Sequence, residues 1–203
     1  MKISERWTRL MANMGMSENT DTFDSLIRAY SEGHRKYHNT DHIKTVLTEL
    51  DRHEELTNNK NELELALWFH DAVYKPLSSS NEEKSAAWVQ EFMQRNNLNE
   101  QSTHQVIQLI NATGHIDNIK RSDEKLISDI DIAIFGQPQE IYESYAEAVR
   151  TEYRIVPSVV YRRKRRALLD KFLKRSRLYA TKEFFYRYEK QARFNLNREI
   201  TSL

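Results

Sequence analysis

The chain has 203 residues, with 31 Lys and Arg against 30 Asp and Glu, 39% hydrophobic content, 4 Gly, 3 Pro and no Cys. That length and apolar share suffice for one full hydrophobic core and leave no room for a second large one, so residues 1–203 read as a single domain. Zero Cys excludes disulfides and thiolate ligands; charges within MKISERWTRL exclude a signal core, and no apolar run approaches the roughly 18 residues of a membrane span, so a soluble cytoplasmic protein is expected.

Hydrophobic periodicity then predicts helix after helix, with almost no alternating β-branched runs. Loop-like clusters fall at residues 31–39, 75–80, 114–123 and 136–139. After the first of these, His42 borders the stripe Ile43, Val46, Leu47 and Leu50. In the next helix Leu63, Ala66, Leu67 and His70 recur at i, i+3, i+4 and i+7, which puts His70 on the buried stripe and Asp71 about a quarter-turn around it. Ser80 and Glu83 have the spacing of a capping box for the helix that follows. Asp129-Ile130-Asp131 lies in a later helix, and Pro138 and Pro157 suit the first turns of two more. The sum is an all-α bundle of about eight to ten helices.

From about residue 150 the chain becomes basic. Residues 150–203 hold 16 Lys and Arg against 5 Asp and Glu, a net of +11, whereas residues 1–149 hold 15 against 25, a net of −10. The densest stretch, residues 162–166, can steer phosphate esters or nucleic acid. Its spacing between Leu168, Leu169, Phe172 and Leu173 is also that of a solvated helix face, and this second reading is preferred.

The chemistry-bearing residues are His42, His70, Asp71 and Asp129. Two packed antiparallel helices would point the first three into one space, and a third helix would bring Asp129. Such a mixed nitrogen and oxygen set suits a borderline divalent ion (Mn, Fe, Co, Ni or Zn), with Mg also compatible. Any one of them alone reads more simply as a hydrogen-bonded core residue. Together they point to a cation, because two buried carboxylates without one leave anionic charge uncompensated.

The strings YHNTDHI at 37–43, ELALWFHDAVY at 64–74, NEEKSA at 81–86 and SDIDIAIFG at 128–136 resemble the HD-domain superfamily. With VRTEY at 149–153 and EKQARFNL at 189–196, they look most like a small bacterial family of predicted metal-dependent HD phosphohydrolases. The resemblance implies an HD-type bundle and a divalent metal held by His42, His70, Asp71 and Asp129. The implied reaction is attack of a metal-activated water, oriented by Asp71, on a nucleotide or another small phosphate ester or anhydride. Asp129 matches the first position of the D-x-D pattern, which leaves Asp131 as an outer residue.

Around this centre, Tyr37, His38, Asn39 and His115 are candidates for contacting substrate. Glu82 and Lys84 are candidates for general acid/base and phosphate contact, and Glu83 for capping. A binuclear iron oxygenase would need both His104 and His115 as ligands, and their spacing of 11 positions is too short for supply by two helices. The remaining alternative is a binding or regulatory module with a structural metal. No membrane partner is expected, nucleic acid is not favoured, and the oligomeric state is open.

Overall fold

Helices account for the regular structure throughout the computed structural model, which describes residues 2–114 and 119–203. Among the described residues there are ten α-helices: α1 (Ile3–Asn13), α2 (Thr20–Tyr30), α3 (Thr40–Arg52), α4 (Lys60–Phe69), α5 (Asn81–Arg95), α6 (Glu100–Ala112), α7 (Ser122–Asp131), α8 (Gln139–Glu152), α9 (Ser158–Leu173) and α10 (Lys182–Ser202). No strand is present among them, as the missing period-2 pattern predicts. No helix there is long and apolar enough to cross a membrane. The chain forms two compact units, residues 1–128 and 129–203, with the boundary inside α7.

The first unit is built on α4. The sequence predicts a one-sided apolar stripe, but every residue from Leu63 to Phe69 is buried. The reason is that α1, α3, α5 and α6 all pack against it, so α4 is a central rod without a solvent face. Its one charge in that span, Glu64, is taken by Arg6, whose Nε and Nη2 donate to the carboxylate at 2.8 and 3.0 Å. Trp7 meets Trp68 edge to face with centroids 5.3 Å apart, and Phe92 lies 5.4 Å from Phe69. These rings lock the rod in the core.

Asn residues start several helices. Asn39, Asn59 and Asn99 accept hydrogen bonds from the first-turn amides of α3, α4 and α6. At the other ends, Gly15 (φ +71°) and Asn97 (φ +55°) adopt the left-handed conformation that closes α1 and α5. The predicted Ser80–Glu83 capping box does not form: Ser80 makes no side-chain cap, and its hydroxyl pairs with that of Ser78 at 3.1 Å. The Asn81 carboxamide anchors the preceding loop instead, accepting from the Lys75 amide at 3.1 Å and donating to its carbonyl at 3.0 Å. Pro138 and Pro157 stand at the N-caps of α8 and α9, one position ahead of the first turn.

In the second unit, α8 and α10 pack on the short 3-10 helix Ile132–Gly136, and α10 also packs on α9. A Cβ on Gly136 would lie 2.4 Å from the Cβ of Tyr188, so the close approach of α10 requires glycine here. The basic stretch divides by burial. Arg162, Arg163, Lys164 and Arg166 are exposed, whereas Arg165 is buried, with Nε and Nη2 donating to Glu199 at 2.8 and 3.1 Å and Nη1 donating to Tyr145 Oη at 3.3 Å.

Candidate metal centre

Helix geometry brings His42 and His70 together. His42 is in the first turn of α3 and His70 follows the last turn of α4, so adjacency of the two helices joins a start to an end. The Asn39 Oδ1 accepts from the Asp41 and His42 amides at 2.9 and 3.3 Å, fixing the entry of α3 and hence the His42 backbone. Asn39, a candidate for substrate contact, therefore acts as a helix cap.

The Nδ1 of His70 lies 2.8 Å from the Leu67 carbonyl. A carbonyl only accepts, so Nδ1 carries a proton, and in the neutral ring Nε2 is the lone-pair nitrogen. That Nε2 is 3.0 Å from His42 Nε2 and 3.2 Å from Asp71 Oδ2, and His42 Nε2 is 3.6 Å from the same oxygen. Both imidazoles are almost fully buried, at 1% side-chain exposure, while Asp71 retains 18%. Burial alone would raise the Asp71 carboxyl, but the charges of His70, His38 and His42 and the His70 hydrogen bond hold it well below the usual carboxylate range. The centre thus presents an ionised carboxylate beside two nitrogens, with one edge toward solvent.

The backbone around the doublet is held by side chains. The Asp71 amide donates to Tyr30 Oη at 3.2 Å, and Tyr30 Oη donates to the Trp68 carbonyl at 3.2 Å. Two residues on, the Val73 amide donates to Ser85 Oγ at 3.0 Å. Sequence reasoning overlooks Tyr30 and Ser85, since a hydroxyl with a buried backbone partner has no signature in spacing.

The remaining candidates divide. Tyr37 flanks His42 with ring centroids 4.9 Å apart, and His38 stacks on Tyr74 at 4.1 Å, so both border the centre. Glu82 is half-buried beside the turn at Gly114, where an added Cβ would lie 3.7 Å from its Cγ. Glu83 is exposed, and Lys84 sits on the outer face of α5 in a shallow groove with Ala87, Trp88, Gln90, Glu91 and Gln94. His104 is exposed on α6 near Gln90, Gln94 and Asn97. His115 lies outside the described residues.

The two α7 carboxylates also differ. Asp129 is 1% exposed, and its oxygens accept from the Ala180 amide at 2.8 Å, the Thr181 amide at 2.7 Å and the Thr181 hydroxyl at 2.7 Å. It anchors the segment that leads into α10. Burial raises its carboxyl and the Thr181 and Ala180 hydrogen bonds lower it, with the balance at about 6. Among the described residues, His42 and His70 belong to a group of His and acidic side chains that could hold a metal ion. Asp131, read from sequence as the outer residue, is half-buried at the last position of α7.

No family model, curated protein or solved structure matches the chain.

Proposed function

We propose that the chain is a metal-dependent phosphohydrolase acting on a nucleotide or another small phosphate ester or anhydride. The observation that carries this reading is the buried His42–His70 pair with its Nε2 atoms 3.0 Å apart, the His70 tautomer being fixed by the Leu67 carbonyl. A ligating histidine characteristically donates its other ring N–H to a carbonyl or carboxylate in this way. The donor set of His42, His70 and Asp71 fits a borderline divalent ion. When bound, the ion supplies Lewis acidity and lowers the pKa of a coordinated water.

The chain's own residues would do the rest. Asp71 would stay ionised and orient a water at Oδ2. Tyr37 and His38 flank the centre, where they can contact phosphate oxygens. Glu82 is a candidate general acid/base by virtue of its half-buried place beside Gly114. Lys84, exposed on α5, is the weakest candidate. The outward place of His104 gives the binuclear oxygenase reading no support.

Elemental analysis should find about one divalent ion per chain, lost in His70→Ala, as metal binding needs the neutral imidazole. Turnover of phosphate esters or anhydrides should appear with Mn, Co, Ni or Mg and vanish with chelator. Asp71→Asn should lower it by several orders of magnitude, roughly 10³-fold or more. Stoichiometric metal without turnover of any ester or anhydride would favour the binding module; equal metal content in wild type and His70→Ala would defeat the assignment of the centre.

A further inference from the structure

We propose that Arg35 is a positioning residue of the metal centre, a buried guanidinium that ties the loop carrying Asp71 to the loop that leads into α3. The inference rests on the metal reading above.

Arg35 is 4% exposed, although it lies in the polar segment 31–39. Its Nη1 donates to the Asp71 carbonyl at 2.6 Å and to the His38 carbonyl at 3.3 Å, and its Nη2 donates to the Ala72 carbonyl at 3.0 Å. Nε donates to Glu32 at 3.0 Å. The guanidinium carbon lies 5.2 Å from the Tyr30 ring centroid and 5.5 Å from that of Tyr74. One planar cation thus meets three carbonyls from two loops, with a carboxylate on its Nε side and two aromatic rings near by.

A buried cation is costly unless its donors are satisfied, and here Glu32 compensates the charge while the carbonyls take the fork. Packing alone would not require a charge at this place, because an apolar side chain would fill it without desolvation. What the fork adds is geometry. The carbonyls of Asp71 and Ala72 point at one rigid group, and the Asp71 amide is held by Tyr30 Oη. The peptide on each side of Asp71 is therefore fixed, and its carboxylate can move only by rotation about its own side-chain bonds. The same fork holds the His38 carbonyl, four residues before His42.

Lysine cannot reproduce this, since an ammonium lacks both the planar fork and the face that lies against tyrosine rings. Cobalt(II) titration of the full chain, followed by visible absorption, tests the assignment with Arg35→Lys, Arg35→Gln and Asp71→Asn. Arg35→Lys should stay folded by near-ultraviolet circular dichroism and weaken cobalt affinity about 10–100-fold, the range seen when outer partners of metal ligands are lost. Its cobalt spectrum should shift as well.

A merely structural role predicts a lower melting temperature with unchanged cobalt affinity and spectrum in the folded protein, and that result overturns the proposal. Arg35→Gln, which keeps part of the stem and drops the charge, gives the same reading should Arg35→Lys not fold. Asp71→Asn separates the two levels. If it too binds cobalt like wild type, the metal reading falls and takes this assignment with it. If only Asp71→Asn loses binding, the role of Arg35 alone is overturned.

Discussion

Asp129 shows how a residue of the right chemical type can serve architecture. Its carboxylate accepts from residues 51 and 52 positions further along the chain, and no local pattern announces such a pairing. The juxtaposition of His42, His70 and Asp71 was legible because the three sit at helix ends that a hydrophobic stripe had already located. The anchoring role of Asp129 also sets a pH dependence. Its folded value of about 6 exceeds the unfolded value of about 3.9. Between those values the folded unit keeps a proton that the unfolded chain has released, so stability falls as pH rises through the window and changes no further above it. The loss is on the order of 2–3 kcal/mol. Urea unfolding of wild type and Asp129→Asn at pH 4.5 and 6.5 checks this (the two values lie within and above the window). The wild type should lose more stability between them than the variant, and parallel losses would remove Asp129 from the account.

Among elements, α4 and the 3-10 helix Ile132–Gly136 show where periodicity stops being informative. The pattern identified α4 as a helix but could not reveal that it has no outer face, because apolar residues all round fit either a buried rod or a wide stripe. The Ser80 box failed for a local reason, since Ser78 competes for the hydroxyl and Asn81 does the anchoring. Gly136 is the sharper case. Replacement by Ala would gain up to about 1 kcal/mol of intrinsic helix propensity. The new Cβ, however, would lie 2.4 Å from the Tyr188 Cβ, which cannot turn aside because it is fixed to the α10 backbone. Overpacking of this kind costs about 1–3 kcal/mol, so Gly136→Ala should lower the urea midpoint. An unchanged or higher midpoint would mean that α10 can shift without loss.

Over the whole molecule, the near-neutral total conceals opposed regions. Residues 129–203 carry 16 basic against 10 acidic side chains, a formal +6, and residues 1–128 carry 15 against 20, a formal −5. The all-α class was legible from periodicity, while the burial of one arginine in a run of five was not. Arg165 and Glu199 meet across 34 positions, a separation no window captures. The other four remain at the surface, where isolated charges contribute little to stability. If the proposed phosphohydrolase activity holds, replacing Arg162, Arg163 and Arg166 together by Gln, with Arg165 left intact, should leave the second-order rate constant on a phosphate ester within about twofold at moderate salt. A drop of about tenfold with loss of salt dependence would instead make this face a steering surface.

The lattice of side chains behind His70 and Asp71 also governs whether the doublet can be transplanted. Its peptide groups lean on Tyr30 and Ser85, which come from well before and after it in the chain, and Asn81 braces the loop further on at Lys75. A segment from Leu63 to Tyr74 grafted onto another helical scaffold would carry the His70 and Asp71 side chains and leave behind the hydroxyls that hold their backbone. Sequence identity over the doublet is therefore a poor currency for moving this centre between proteins; the portable unit is the doublet together with its distant braces.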